Sequence, residues 1–571
     1  MSDIVIINLA NIAKIQDEKS FDLLDLRYSI VDTPNKIQSF VNLDEIAPLG
    51  LELYKKFIKE IVNEKPILGV KINNFSIYWI TDCAIKGYAW HWGRDFFLLL
   101  QLLQSNQNQL EKNYKAVIIN LPEKWSFLKA TIENLVNKLF YSINVTIRLI
   151  DERSSSFGLV KGLFLINKSW VTNVLKLRKV RSIESKLPVN VYLKLPHAGE
   201  GQNNLFNSVQ ELFKMNEQNI ETLPYYWRDN PKIPREFYNE RPNLWQLFLI
   251  LIKANLAFFK TLLLPDTQLN IATNISLSSN FIKREMINTL VSNMHLFFFH
   301  EWLSSYFSKL KNKLVVYYAD EFYGVGRIIS HAAAPFEKLK TRGLQHGHFM
   351  ESHTVYLITD AELIAGIPKP DTFITWGKYY SNLFGKNNKL ERPYILPLGN
   401  PNYVLSDDKK EYPSVIKKVL WCLTSKECMQ VEWTLIKEGL QDCDVDLEIR
   451  MHPTTYIKKQ EVVELLGNDI QYCFSKKDTI NESLNSNDLV LVSAHSTTFL
   501  DAYINKRNCI RIISRFWEGE NQISSYHIKT VFSAKDFHVA INQFLSQPLN
   551  DKVDVNEIEM LRNNWSNFLN L

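Results

Sequence analysis

The sequence predicts an α/β protein with two Rossmann-like domains that face each other across a cleft, and three observations support this fold class. Short apolar runs alternate with segments of helical period before residue 150 and again after residue 313. Long helical patterns dominate residues 195–310. A stretch rich in Pro and Asn, Pro393–Tyr403, is the predicted linker. Because parallel sheets bind ligands beyond the carboxyl ends of their strands, a ligand is expected in the cleft.

The first predicted domain covers residues 1–398 and includes a helical insertion at about 195–310. Its predicted strands are Ile4–Leu9, Phe75–Ile80, Ala116–Leu121, Asn144–Ile150, Lys313–Ala319, Arg342–His348 with a tight loop, and Thr372–Trp376. Its predicted helices are Leu51–Asn63, Asp95–Gln104, Lys124–Phe140, Leu244–Leu264 and Ile282–Leu310.

The second predicted domain, residues 399–571, has a regular strand–helix rhythm. Five short apolar runs with helical segments between them predict a compact Rossmann-like unit. These strands are Val419–Leu423, Leu447–Met451, Gln471–Phe474, Leu489–Val492 and Cys509–Ile513.

The composition limits the function classes. The chain has 571 residues, of which 46% are apolar and 22% charged, as is usual for a folded soluble protein. Its formal net charge of +5, with no RNA-binding signature, does not favour a nucleic-acid partner. Six cysteines without a CxxC pair indicate reduced thiols. The N-terminus lacks the pattern of a signal peptide, so a cytoplasmic location is predicted.

One apolar segment leaves a membrane contact open. Gln246–Leu264 is interrupted by Lys253 and Lys260, and so falls short of the ~20 uninterrupted apolar residues of a spanning helix. It is interpreted as a buried or interfacial helix, and peripheral association with the inner membrane stays an alternative.

The run Leu489–Asp501 is the strongest candidate for an anion site. A buried strand is followed by a turn containing Ser493, His495, Ser496, Thr497 and Thr498, and a helix begins near Thr497. Hydroxyls and helix amide groups at a strand's carboxyl end favour a phosphate. The alternative is ordinary capping of the helix by Ser or Thr.

A second strand end, Leu447–Pro453, carries Arg450 and His452, both of which could reach a phosphate. Pro453 directs the chain away from the sheet after the strand. The alternative is a structural histidine at a strand end. The predicted donor-side residues are therefore Arg450, His452, Pro453, Ser493, His495, Ser496, Thr497 and Thr498, together with Thr424.

Four of the 12 histidines fall within 23 residues, at His331, His346, His348 and His353. Their spacing does not match accepted zinc-ligand patterns, so neither a metal nor a cofactor is expected. The Gln345–Gly347 turn is interpreted instead as a group of donors facing the cleft, with Gly347 allowing a close approach.

Acidic residues at a further strand end are candidates for a general base. The strand from Leu314 ends at Asp320 and Glu321, either of which could accept the proton of a hydroxyl. The equally weighted alternative is an acid that favours a helix N-terminus. The residues do not decide between the two carboxylates. His346 is the third catalytic candidate.

The aromatic segments and the acidic DxD segment are less specific signals. Aromatic residues in Asn74–Asp82 and Tyr88–Arg94 suit either sugar stacking or, preferably, the core. The overlapping DxD triplets of Asp442–Asp446 are interpreted as loop acids and not as metal ligands. Neither a P-loop nor a GxGxxG motif occurs.

The order of five motifs resembles a known group of proteins. Gln345–Gly347, Trp376–Lys378, Leu398–Pro401, Arg450–Pro453 and Ser493–Thr498 look like bacterial surface-carbohydrate (O-antigen or capsule) biosynthesis transferases of the GT-B fold. The pattern is also similar to that of Kdo and sialic acid (nonulosonate) transferases.

The resemblance implies an inverting, metal-independent transferase that uses a CMP-activated sugar. It implies that His452, Ser496 and Thr497 contact the CMP phosphate. In these families an acidic pair and a glycine form the motif that supplies the general base. Here Asp320 and Glu321 match the acids, but the glycine, Gly324, is displaced by two residues. Substrate-side candidates are Gln345, Gly347, His348, Lys378 and Asn400.

The partners implied are a nucleotide-sugar donor and a glycan or glycolipid acceptor. Two alternatives remain. One keeps the fold and uses a UDP-sugar, a GDP-sugar or a CDP-polyol as donor. The other is a catalytically silent carbohydrate-assembly scaffold.

Overall fold

Parallel β-sheets organise the protein in the computed structural model. The structure describes residues 4–9, 21–26, 41, 43–86, 90–122, 125–150, 159–176, 190–194, 200–224, 244–273, 275–308, 312–319, 321–350, 353–388, 394–403, 416–424, 426–441, 444–452, 457–467, 471–494, 496–513, 528–531, 533–546 and 563–569. Within them, one four-stranded and two six-stranded sheets are entirely parallel, and two small hairpins are antiparallel.

The N-terminal sheet, of four strands, is built from the first 150 residues. The elements are β1 (Ile4–Asn8), β2 (Phe21–Asp25), α1 (Leu43–Asn63), α2 (Lys65–Leu68), β3 (Lys71–Ile72), β4 (Phe75–Ser76), α3 (Tyr78–Lys86), α4 (Trp90–Ser105), α5 (Gln107–Asn113), β5 (Ala116–Pro122), α6 (Ser126–Leu139) and β6 (Asn144–Ile150). The strand order is β2-β1-β5-β6. Apolar β-branched residues fill β1 and β5, which suits strands buried on both faces.

The predicted strand Phe75–Ile80 is a strand only in its first two residues. Only Phe75 and Ser76 are in a strand, and α3 begins at Tyr78. The two strands β3 and β4 form a hairpin whose turn residues, Asn73 and Asn74, both have positive φ. Asn tolerates that conformation, which two-residue hairpin turns require.

The first lobe is the six-stranded sheet of residues 190–397 with its helices. The elements are α7 (Leu159–Lys176), β7 (Asn190–Lys194), α8 (Glu200–Met215), β8 (Ile220–Pro224), α9 (Leu244–Leu263), β9 (Gln268–Ala272), β10 (Ile275–Ser278), α10 (Asn280–Ser292), α11 (Met294–Ser308), β11 (Leu314–Tyr318), α12 (Gly324–Ala333), β12 (Leu339–Leu344), α13 (Asp360–Ile364), β13 (Thr372–Thr375), α14 (Lys378–Asn387) and β14 (Ile395–Pro397). The order is β14-β13-β12-β11-β7-β8, so the direction of winding reverses between β7 and β11.

The structure differs in detail from the prediction for residues 1–398 in three places. The range 195–310 is mostly helical, as predicted, but it also contains β8, β9 and β10, and β8 belongs to the lobe's sheet. The predicted helix Ile282–Leu310 is two helices, separated at Asn293. Residues 1–398 also form two parallel sheets, not one.

The second lobe is the six-stranded sheet of residues 418–531 with its helices. The elements are β15 (Lys418–Cys422), α15 (Lys426–Gly439), β16 (Asp446–Arg450), α16 (Lys459–Leu466), β17 (Tyr472–Phe474), α17 (Ile480–Ser486), β18 (Leu489–Ser493), α18 (Thr498–Ile504), β19 (Asn508–Ile512), β20 (Ile528–Val531), α19 (Ala534–Ser546) and α20 (Asn563–Leu569). All five predicted strands are present, and β20 is a sixth. The order β17-β16-β15-β18-β19-β20 is the doubly wound Rossmann order, with its switch point between β15 and β18.

The last helix, α20, packs on the first lobe although it lies in the range predicted for the second domain. Trp565 is fully buried in a cluster with Tyr192, Phe213 and Tyr317. Its indole Nε1 donates to the carbonyl of Gly399 at 3.0 Å. The chain therefore passes from the first lobe to the second and back again. The α/β prediction with two Rossmann-like units is confirmed.

Candidate active site

A cavity of about 500 Å³ lies where the carboxyl ends of the two six-stranded sheets meet. The first lobe contributes Asn204, Asn207, Ser208, His346, Trp376, Asn400, Asn402 and Tyr403. The second lobe contributes Cys422, Leu423, Arg450, Met451, His452, Ile480, Asn481, Ser496, Thr497, Thr498, Asp501, Ile504 and Asn505. The volume is within the usual range for small-molecule sites, and the cavity includes the switch point of the second lobe.

On the first-lobe wall, His346 is held by a buried carboxylate. Glu321 follows β11 and His346 follows β12, and these parallel neighbours end at the same edge of the sheet. His346 Nδ1 lies 3.2 Å from Glu321 Oε2. The hydroxyl of Tyr356 donates to the other carboxylate oxygen at 2.9 Å. Glu321 is completely buried and lies behind the histidine, whereas His346 lines the cavity.

Glu321 and His346 were both predicted as catalytic candidates, and this geometry gives them different positions relative to the cavity. A carboxylate bonded to one ring nitrogen fixes the orientation and tautomer of a histidine, so the cavity-facing group here is the imidazole. Tyr356 was not singled out from the sequence, because nothing local to it signals a contact with Glu321. Asp320, the other predicted carboxylate, lies outside the described residues.

Gly343 is the glycine that this arrangement requires. A Cβ atom at Gly343 would lie 2.5 Å from Glu321 Cβ and 2.9 Å from a ring carbon of Pro370. A Cβ at Gly347 would instead be 3.8 Å from Thr497, which is an ordinary contact. Gly343 therefore allows β12 to pack closely below Glu321, whereas a close approach of a ligand at Gly347 stays a prediction.

Gln345 and His348 have internal partners and do not line the cavity. Gln345 accepts from the Trp376 amide at 2.8 Å and donates to the Gly347 carbonyl at 2.9 Å, so it ties the ends of β12 and β13 together. His348 is buried, with Nδ1 2.7 Å from the Tyr380 hydroxyl and its ring against Phe499 of the second lobe. Lys378 is exposed at the start of α14, outside the cavity lining.

On the second-lobe wall, the four predicted hydroxyls have different environments. Ser493 is fully buried and donates to Glu432 in the core, so it is structural. Ser496 accepts from the Thr498 amide at 3.3 Å, whereas Thr497, the N-cap residue of the following helix, makes no capping hydrogen bond through its side chain. Ser496, Thr497 and Thr498 all line the cavity. The helix that follows, α18, has seven residues.

The second predicted strand end lies beside these hydroxyls. Arg450 and His452 line the cavity. Arg450 also donates to the Lys477 carbonyl at 3.1 Å and to Ser483 at 3.0 Å, which holds the turn after β17. Thr424 is half-buried and lies outside the lining, and its hydroxyl oxygen has no hydrogen-bond partner within the described part of the chain. Pro453 and His495 are outside the described residues.

Two buried polar atoms at the cavity lack partners in the described structure, namely Trp376 Nε1 and Asn402 Oδ1. Buried polar groups are normally satisfied, so this donor and this acceptor have hydrogen-bonding capacity left for a group that enters the cavity. Asn400, predicted on the substrate side, lines the cavity and accepts from the Asn402 amide at 2.9 Å.

Several lining residues were missed from the sequence. Asn204, Asn207 and Ser208 lie on α8, and their helical spacing resembles any polar helix face. Asp501 is on α18 and hydrogen-bonds to Tyr403, whose pKa is raised well above its usual value by burial and by that carboxylate. Burial also raises the pKa of Cys422 to about 12, so it remains a thiol.

The four histidines of the histidine-rich segment have separate partners in the structure. His331 pairs with His300 at 2.8 Å, His353 lies against the Tyr356 ring, and His346 and His348 have the separate partners given above. Within the described ranges, no three His, Cys, Asp or Glu side chains are placed to hold a metal ion. Asp442 and Cys443, in the acidic DxD segment, are outside those ranges.

No protein-family model matches the sequence, and no curated protein matches it significantly. Among solved structures, the lipopolysaccharide outer core galactosyltransferase WaaB is 12% identical, with TM-score 0.38, and covers 67% of this chain and all of its own. Staphylococcus aureus TarM, solved with UDP, is 10% identical with the same coverage and TM-score. A UDP-N-acetylglucosamine 2-epimerase is 11% identical, with TM-score 0.36 and coverage of 67% and 94%.

These similarities are remote, and they carry no information on substrate. In the structure, two Rossmann-like lobes face each other, and the carboxyl ends of their strands enclose a cavity. This is the GT-B architecture. A fold alone does not specify a reaction, so function is argued from the site.

Proposed function

We propose that the protein is a glycosyltransferase that moves a sugar from a nucleotide-activated donor to a glycan or glycolipid acceptor. One observation carries the proposal: the His346–Glu321 pair and the polar group of His452, Thr497 and Thr498 line opposite lobes of one cavity. The first can accept a proton from an acceptor hydroxyl, and the second can hold a donor phosphate.

The chemistry follows from this division of roles. His346 takes the acceptor proton through Nε2, because Nδ1 is held by Glu321. The acceptor oxygen then forms a bond to the anomeric carbon as the bond to the nucleotide phosphate breaks, with inversion at that carbon. Negative charge that develops on the departing phosphate is stabilised by His452 and the hydroxyls, at about 3 kcal/mol for each well-placed donor.

The donor we propose is a CMP-linked nonulosonate, such as Kdo, sialic acid or a relative. CMP leaves with a single phosphate, and the described cavity has one compact group of phosphate-type donors, at the second lobe. The reaction would be independent of metal ions. The setting would be cytoplasmic, at the inner membrane, with a surface glycan as product.

A UDP-sugar or GDP-sugar is the second candidate donor, and one observation favours it. The cavity of about 500 Å³ has room for a nucleoside diphosphate sugar. A CDP-polyol donor would be transferred as a phosphodiester within the same cavity.

Thermal stabilisation by nucleotides tests the donor class. We expect CMP and CMP-sugars to raise the melting temperature, since a ligand at 100 times its Kd adds about 2.7 kcal/mol of stability. UDP, GDP and CDP are screened beside CMP, with and without EDTA and Mg²⁺. A shift with UDP or GDP alone would replace the CMP assignment by the second candidate.

Substitution of His346 tests the reaction itself. His346→Ala should lower transfer by roughly 10²- to 10⁴-fold while leaving nucleotide binding in place, because the base contributes to the chemical step. His538→Ala, at a histidine outside the cavity lining, is the matched control. Unchanged transfer in His346→Ala would contradict the assigned base. Nucleotide binding without transfer to any acceptor would favour the scaffold alternative.

A further inference from the structure

Helix α9 is apolar on both of its faces. Leu247, Ile250, Ala254, Ala257 and Phe258 are buried against the protein. The opposite side presents six large apolar side chains that are 38–82% exposed: Trp245, Phe248, Ile252, Leu256, Phe259 and Leu263. With 3.6 residues per turn these six fall within an arc of about 80°. Helices that are hydrophobic all round are normally buried completely or lie in a membrane.

The neighbouring helix α7 extends the same exposed surface. Phe164 and Val171, seven residues apart, are 63% and 47% exposed. Soluble monomers rarely present contiguous apolar patches larger than a few hundred Å², so eight large exposed apolar side chains on two packed helices indicate an interaction surface. We call these eight residues of α7 and α9 the apolar ridge.

Close packing and hydrogen bonds hold the two helices of the apolar ridge together. A Cβ on Gly162 would lie 2.9 Å from the Phe258 ring, so the glycine allows α7 and α9 to pack closely. Trp170 Nε1 donates to the Leu247 carbonyl at 2.8 Å, and Asn167 Nδ2 donates to Asn255 at 3.3 Å. The ridge is therefore part of the packed fold.

The charges around the ridge have one sign on both helices. Neither α7 nor α9 contains an Asp or Glu. Lys253 and Lys260 of α9 lie along one border of the apolar arc, and α7 adds Lys161 and Lys168. Lys253 donates to Asn73 at 2.7 Å, and Glu301, an acid beside this border, accepts from Asn73 and Gln246. An apolar face bordered by lysines complements an anionic lipid surface.

We infer that the apolar ridge docks the protein on an anionic lipid bilayer, with α9 lying in the plane of the interface. Trp245–Leu263 is long and apolar enough to cross a bilayer by composition, with a mean hydropathy of 1.6. Its buried face and the bonds to α7 and Asn73 hold it along the protein surface instead. Aromatic and aliphatic side chains would enter the acyl boundary while the lysines remain at the headgroups.

Vesicle flotation tests this surface. Vesicles of phosphatidylglycerol and phosphatidylcholine in equal parts are compared with pure phosphatidylcholine. We expect the wild type to float with the anionic vesicles, and less so as salt is raised. The triple variant Trp245→Ser, Leu256→Ser, Phe259→Ser should lose roughly tenfold or more in binding. The double variant Lys168→Glu, Lys260→Glu should bind more weakly to the anionic vesicles and should bind pure phosphatidylcholine as the wild type does.

The control variant carries Tyr141→Ser, Ile364→Ser and Val539→Ser, three exposed apolar residues outside the ridge. It should bind as the wild type does. Binding of the ridge triple variant at wild-type level would overturn the inference, as would a wild type that floats with neither vesicle. A wild type that dimerises through the ridge, with a monomeric triple variant and no flotation, would overturn it too. Nucleotide binding by the triple variant separates this outcome from any failure of the proposed transferase activity.

Discussion

His346 lines the cavity, and Glu321, completely buried behind it, holds the imidazole in place. Glu321 accepts from Tyr356 and lies 3.2 Å from the imidazole, so both of its oxygens are engaged. A strand-end acid and a strand-end histidine were predictable as candidates, since both follow apolar runs. Their order, with the histidine in front and the acid behind, depends on the spacing of two neighbouring strands and could not be predicted from either motif alone.

Glu321→Gln should lower transfer by roughly 10²-fold or more without unfolding the protein. The amide keeps the size of the side chain, but its NH₂ group donates towards the imidazole and favours the wrong tautomer. Steady-state rates are compared with those of Glu337→Gln, the same change at an exposed position. Equal rates in the two variants would contradict a positioning role for Glu321.

Gly343→Ala should lower activity through Glu321. The new Cβ would lie 2.5 Å from Glu321 Cβ, so the carboxylate must move and the bond to His346 is lost. Gly347→Ala is the matched control, because its Cβ has room. Transfer rates and nucleotide binding are measured for both variants. We expect both variants to retain nucleotide binding and Gly343→Ala to lose more transfer activity than Gly347→Ala. Equal transfer rates in the two variants would contradict the prediction.

The buried His300–His331 pair should make the fold sensitive to acid. Burial and the neighbouring imidazole lower the pKa of His300 to about 3, whereas in the unfolded chain it is about 6.5. The unfolded state therefore binds a proton that the folded state excludes, and stability decreases as pH falls below about 6.5 towards 3. The loss between pH 6.5 and 5 is about 1.5 kcal/mol.

Denaturant unfolding at pH 7, 6 and 5 measures this loss. Other groups also titrate in this range, so the wild type is compared with His300→Phe, which has no proton to gain. The variant should show the shallower decrease in unfolding free energy. Parallel decreases in the two proteins would exclude His300 as the cause.

At the scale of elements, the strands of the second lobe were the most predictable part. Runs such as Leu489–Ser493 are apolar on both faces because helices cover both sides of the sheet. Five strands were missed in the first lobe, namely β7, β8, β9, β10 and β14. They are three to five residues long, and all but β14, which lies inside the predicted linker, contain polar residues that interrupt such a run. The hydroxyl turn after β18 was predicted as one site. Its members differ because Ser493 is still in the strand and points into the core.

Helix α20 contributes to the first lobe through one side chain above all. Trp565→Ala should cost about 3–5 kcal/mol, because a fully buried indole is removed from a closed cluster. Calorimetric unfolding measures the cost. Trp245→Ala, at an indole that is 62% exposed, is the matched control and should change the melting temperature little. Similar shifts in both variants would contradict the packing of α20 on this sheet.

At the scale of the whole molecule, the lobes are joined by more than the linker. Phe499 of α18 contacts His348 of the first lobe, at 4.9 Å between ring centroids, and the Arg511 guanidinium lies over the Phe499 ring, 4.0 Å from its centroid. Residues of the second sheet such as Leu420 and Val490 belong to the same apolar cluster as those of the first lobe. The cavity is thus bounded by a packed seam between lobes, beside the turn at Asn400 and Asn402.

The burial of Trp565 affects the order in which the first lobe can fold. Chains leave the ribosome N-terminus first, and early domains normally fold first. Here the sheet that begins at Asn190 needs a side chain that follows the whole second sheet along the chain. Until α20 has been made, the faces of Tyr192, Phe213 and Tyr317 stay open. The first lobe therefore reaches its final packing only after every strand of the second lobe has been synthesised.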